Sequence, residues 1–93
     1  MHYRLRWPDL TESECYSPSL IIREYFHPET TYPLAEFMRR IREATAIASA
    51  RVQVKYGFPC SRALAQLSEI EQTAERFAGQ TEARIVMLSF HGD

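Results

Sequence analysis

Residues 33–79 read PLAEFMRRIREATAIASARVQVKYGFPCSRALAQLSEIEQTAERFAG, and this stretch decides the fold. Leu34, Phe37, Met38, Ile41, Ala44, Ala48 and Val52 recur at three- and four-residue steps, the spacing of one helical face. On the opposite face Glu36 precedes Arg40, and Arg39 precedes Glu43, both at i,i+4. Pro33 suits the helix start, and Gly57 after Tyr56 supplies a left-handed stop. Beyond Phe58-Pro59, a second stripe of Ala63, Leu64, Leu67, Ile70, Ala74 and Phe77 predicts a helix over 61–78, with Gly79 as its stop. A connection as short as Gly57-Phe58-Pro59 makes the two helices antiparallel neighbours. Their stripes need a common apolar partner, and Phe37 and Leu67 are expected in the core against it.

The flanking segments supply that partner as a sheet. Tyr3, Leu5 and Trp7 alternate with Arg4 and Arg6, the period of a half-buried strand. Pro8-Asp9 breaks it with turn chemistry, and Thr11 to Tyr16 alternates again with polar residues that suit an exposed edge. The reading is an N-terminal β-hairpin. Ser17-Pro18 then predicts a short helix to about Tyr25, with serine as N-cap and proline at the first helical position. His27 to Thr31 is polar and broken by proline, and reads as a loop. Ala83 to Phe90 carries the apolar run Ile85-Val86-Met87-Leu88, expected of a strand covered on both faces or a central one. The expected class is α+β: a two-layer sandwich in the order ββαααβ. A three-stranded sheet, its N-terminal strand paired with the C-terminal one, lies under the helical hairpin.

Ninety-three residues allow a single domain over 1–93, and 45% hydrophobic content is too high for a disordered tail. Eleven basic residues against twelve acidic ones argue against a nucleic-acid binder, and Arg39-Arg40-Ile41-Arg42 is offset by Glu36 and Glu43. No apolar run reaches the roughly 20 residues that span a bilayer. MHYRLRWPD contains no secretory h-region, so a cytoplasmic location is expected. His2, His27 and His91 are scattered without metal-ligand spacing, and the three glycines are isolated, which leaves neither metal nor cofactor in the expectation.

Chemistry concentrates at two junctions. Glu14-Cys15-Tyr16-Ser17-Pro18 passes from hairpin to first helix, and Lys55-Tyr56-Gly57-Phe58-Pro59-Cys60-Ser61 joins the long helices. Each sets a cysteine near a helix N-terminus, where backbone N–H groups lower a thiol pKa. Arg51 and Lys55 precede the second junction on one helical face. A thiolate, a hydroxyl and two cations together suit an anionic or carbonyl substrate. The competing reading is that both cysteines are structural and Ser17 is only a cap. A Cys15–Cys60 bridge would close a long loop, but cytoplasmic redox chemistry opposes it.

Arg6-Trp7-Pro8-Asp9, Cys15-Tyr16-Ser17-Pro18-Ser19, Arg51-Val52, Lys55-Tyr56-Gly57-Phe58 and Cys60-Ser61 together resemble the signature of a small bacterial family of nitrogen-starvation response proteins. The resemblance covers nearly the whole chain. That family is encoded in nitrilase-type gene clusters beside a nitrilase, a radical S-adenosylmethionine protein, an acetyltransferase and a flavin-dependent oxidoreductase. The resemblance implies a nitrogen-scavenging context, a cytoplasmic location and service to a larger enzyme, and carries no catalytic activity with it. It departs at Leu10, where glycine is expected after Trp-Pro-Asp. Its matching positions coincide with the two junctions and mark Trp7, Cys15, Tyr16, Arg51, Lys55, Tyr56 and Cys60 as a candidate ligand or partner surface.

Two functions from different classes follow. One is a non-enzymatic accessory protein that binds a cluster enzyme or itself, suited by small size and an available edge strand. The other is a small ligand-binding protein or enzyme that uses the cysteine and cation junction. Leu20, Ile21 and Ile22 spread over too wide an arc for one intramolecular face, which predicts exposed apolar surface on the short helix and a symmetric homodimer. The alternative is that Thr30–Tyr32 folds over that helix and hides it.

Overall fold

The computed structural model describes residues 1–92. Its elements are β1 (His2–Arg6), β2 (Glu12–Tyr16), α1 (Ile22–Tyr25), β3 (Thr30–Pro33), α2 (Leu34–Tyr56), α3 (Ser61–Glu75) and β4 (Arg84–His91). The four strands form one antiparallel sheet in the order β2-β1-β4-β3. This corrects the expected three-stranded sheet and ββαααβ order: the class is α+β, but the order is ββαβααβ. The fourth strand lies in the segment read as a loop. Thr30, Thr31 and Tyr32 are residue types that suit a strand, and Pro33 closes it at the sheet edge, where a missing N–H donor is harmless.

The hairpin from β1 to β2 turns through Pro8-Asp9-Leu10. The Leu10 N–H donates to the Trp7 carbonyl (2.9 Å) and the Trp7 N–H to the Thr11 carbonyl (2.8 Å), closing a three-residue loop. Asp9 Oδ1 accepts from the Thr11 N–H (3.1 Å) and hydroxyl (2.6 Å), the expected Asx-turn. This loop type ends on a left-handed residue, and Leu10 has φ 71°. A branched side chain is strained there, and Leu10 is 75% exposed, so it regains nothing by packing. Leu10→Gly should therefore raise stability by about 1 kcal/mol, or roughly 4–8 °C in Tm for a domain of this size. A melting curve unchanged or lowered by the substitution would show that Leu10 is not strained.

The first helix also begins later than its sequence indicates. The Ser17 hydroxyl donates to the Ser19 carbonyl and accepts from the Ser19 N–H, while Ser19 Oγ accepts from the Ile21 N–H. These local bonds satisfy the backbone of 17–21 outside a helix, so Ser17 is not its N-cap. Ile21, Ile22 and Phe26 are buried, and only Leu20 of the consecutive trio is exposed. Tyr32 provides the cover: its ring meets Phe26 edge-on at 5.1 Å, and its hydroxyl accepts from the His27 N–H. The apolar surface expected on this helix is thus partly hidden, Tyr32 covering Phe26 and α2 packing against the helix, while Leu20 stays exposed.

The long helices lie on one face of the sheet. Gly57 takes the left-handed conformation (φ 85°) expected at the end of α2, but α3 ends at Glu75 without help from Gly79. Tyr3, Leu5, Trp7, Ile85 and Met87 point from the sheet into a core completed by Phe37, Met38, Ile41, Ile70, Ala74 and Phe77. Leu67 is only partly buried, and Leu64 is exposed. The other face of the sheet carries a ladder of charges, with Arg4 between Glu14 (3.3 Å) and Glu12 (3.6 Å) and Arg6 on Glu12 (3.1 Å). Such exposed pairs select register more than they stabilise.

Candidate functional site

The fold draws the two junctions together. Arg51 Nη1 on α2 donates to Ser19 Oγ at 2.8 Å, and the Arg62 guanidinium near the start of α3 lies 3.8 Å from the centre of the Tyr16 ring. The Tyr16 N–H, directed away from β1 at the sheet edge, donates to Gln66 Oε1 of α3 (3.2 Å). Proximity of the junctions does not produce a shared thiol pocket. The seven residues separate into two places, with Tyr16 and Cys60 between them.

Trp7 and Cys15 belong to a cleft of about 210 Å³ between β2 and α3, lined also by Ser13, Gln66, Glu69 and Thr73. Trp7 is anchored in its wall. The indole N–H donates to Ser13 Oγ (2.9 Å), and the ring stacks on Phe77 (6.0 Å between centres). Cys15 is buried, and its thiol is pushed up to about 12, chiefly by desolvation, with the Glu69 carboxylate adding to the effect. Burial likewise holds the neighbouring Tyr3 hydroxyl well above its ordinary value. Cys15 is therefore a protonated core thiol at neutral pH, the opposite of an activated nucleophile. Cys60 stands just before α3, half-buried, and both cysteines are free.

Arg51, Lys55 and Tyr56 line a groove of about 260 Å³ between α2 and Pro18-Ser19. Arg51 also borders a second, apolar groove of about 360 Å³ formed by Ile47, Ala50 and Val54. Val54 and Arg62 were not singled out by sequence reasoning, Phe58 entered only within the connection, and Leu64 was assigned to the buried stripe but is exposed; all four lie at this end of the helical hairpin. One readable signal marks them: no acidic residue occurs between Glu43 and Glu69, while Arg51, Lys55 and Arg62 do.

On the open sheet face His2 stacks on His91 at 5.7 Å, and His91 Nε2 meets Glu14 Oε1 at 3.2 Å. The strand pairing β1–β4 brings these histidines together, as neighbouring terminal strands require. Among the described residues no group of three His, Cys, Asp or Glu side chains is placed to hold a metal ion. No helix of the described residues is long and apolar enough to cross a membrane.

Residues 2–90 match the family described as nitrogen starvation-induced protein NitG. The chain belongs to the NitG family. No curated protein and no solved structure matches it. The NitG match spans both junctions, the thiol cleft and the cationic end of the hairpin, and it includes the strained turn at Leu10.

Proposed function

We propose that this NitG-family chain is a non-enzymatic accessory protein of a nitrogen-scavenging gene cluster, acting in the cytoplasm by docking on a protein partner. The observation that carries the reading is the state of Cys15. Of the two candidate thiols, Cys15 is buried and held protonated, and Cys60 is not among the residues lining the groove of Arg51, Lys55 and Tyr56, which lie on accessible surface. Membership of a nitrogen starvation-induced family supplies the physiological setting. A surface that combines cations with exposed aromatic and aliphatic side chains is suited to binding a protein.

Thiol chemistry is the feature that separates this reading from an enzymatic one. A chain carrying Cys15→Ala and Cys60→Ser is expected to restore growth on limiting nitrogen to a strain lacking the gene, as fully as the parent chain. Failure of a folded double variant to do so would move the function to the cysteines. Folding is checked on the purified variant by its melting curve.

A further inference from the structure

We propose that the overhanging end of the helical hairpin, residues 47–64, is the docking element, and that its occupant is an acidic surface with an apolar centre on a different protein. This rests on the docking function proposed above and names its surface and the chemistry of its partner.

Shape comes first. The molecule measures 40 × 24 × 18 Å. The 23 residues of α2 extend about 34 Å, while a five-residue strand such as β1 covers about 17 Å. Burial on α2 ends at Ser49, and before Ile70 the only buried residue of α3 is Ala63. The hairpin therefore runs past the buried core, and its far end meets only Tyr16 and Pro18-Ser19 along one side.

That end is nevertheless apolar. Val54 is 89% exposed and Phe58 63%, with Tyr56 and Leu64 exposed beside them. Ile47, Ala50 and Val54 stand on one side of α2 and form a broad, open apolar face. Such a face suits the apolar centre of a protein interface, whereas a nucleic acid offers chiefly its charged backbone.

Charge then selects the kind of protein. The formal net charge of −1 conceals a division. Residues 44–68 hold three cations and no anion, and the rest of the chain holds eight cations against twelve anions. Arg51, Lys55 and Arg62 are held by a hydroxyl or laid against aromatic rings. Among the described residues no carboxylate pairs with any of them. A symmetric pairing of this end with that of a second copy would set three cations against three. Pairing it with the acidic body of a second copy would meet little apolar surface, since outside this end the exposed large hydrophobic residues among those described are Leu10 and Leu20. An acidic surface on another protein meets both the charge and the apolar face without either difficulty.

The test uses the full chain in nitrogen-limited cells, with p-benzoylphenylalanine replacing Val54, or Thr31 on the open sheet face as control. Irradiation is expected to join the Val54 position, and not the Thr31 position, to one protein through a peptide rich in Asp and Glu. Adding Arg51→Glu and Lys55→Glu should lower the yield about tenfold. The purified partner should bind that variant about tenfold more weakly, with the difference shrinking as salt is raised. Lys55→Glu alone, which leaves the Arg51–Ser19 bond intact, should show a smaller loss and guards against misfolding. An adduct of twice 10.8 kDa, an adduct with lipid or nucleic acid, or a yield indifferent to charge reversal would overturn the proposal. Protein adducts confined to Thr31 would overturn this surface and leave the docking function standing. No protein adduct at either position would overturn both.

Discussion

Phe37→Ala is expected to cost about 3–5 kcal/mol, a large share of the roughly 5–15 kcal/mol that holds a domain together. Phe37 is fully buried, with its ring 5.2 Å from Phe26 and 6.3 Å from Trp7. Phe26 meets Tyr32 and Trp7 meets Phe77, so one ring ties α1, β3 and the end of the hairpin helices to β1. Truncation leaves a cavity that four differently anchored rings cannot collapse to fill. Urea unfolding should show a lower midpoint at unchanged slope. Leu67, given the same core role by the sequence, is only partly buried, and Leu67→Ala should cost less than half as much. A Phe37→Ala loss below about 1 kcal/mol would place the ring outside the core.

The second large effect is expected in alkali. Cys15 ionises near pH 9 when exposed, but only at about 12 in the fold. Tyr3 is held well above its ordinary value of 10.0 by the same burial. Above pH 9 the unfolded chain releases the Cys15 proton and the native chain does not, so stability falls as pH rises. It is fully present below the unfolded pKa and is lost progressively towards the folded one. The slope from Cys15 is about 1.4 kcal/mol per pH unit, giving a loss of about 2–3 kcal/mol by pH 11. Tyr3 contributes a further fall only above about pH 10. Cys15→Ala should remove the first part, so the parent's melting temperature should fall between about pH 8 and 10 relative to the variant's. Parallel curves across that range would mean that Cys15 is not buried as a neutral thiol.

Much of the architecture was legible because it rests on period and punctuation. The stripe from Phe37 to Ala48, the stop at Gly57 and the alternation Tyr3-Leu5-Trp7 each have one sterically sensible solution. The pairing of β1 with β4 and the edge position of β2 followed from where the apolar residues lie. β3 was hidden for a physical reason. A four-residue edge strand makes hydrogen bonds on one side only, and Pro28 and Glu29 precede it with turn-like chemistry. The start of α1 was misplaced because Ser17 and Ser19 bond each other, a competition invisible to position rules. At the candidate site the sequence grouped the two junctions into one surface, but the contacts that join them, Arg51–Ser19 and Arg62–Tyr16, depend on the approach of separate elements and were not legible. Nor did helix-terminus position reveal that Cys15 is desolvated, because that depends on Tyr3, Glu69 and the cover of α3.

The strand order β2-β1-β4-β3 also governs when the molecule can exist during synthesis. β4 occupies the interior between β1 and β3, and it is translated after every other element. Until residues 84–91 have left the ribosome, β1 and β3 have no mutual partner, and the face that receives the helical hairpin is split in two. Helices α2 and α3 can coil early from local contacts, but Phe37 and Ile41 then have no closed sheet to settle against. Assembly of the domain is therefore a late, all-at-once event that follows translation of β4. Premature release of the nascent chain yields unprotected strand edges, the species that aggregate or are degraded.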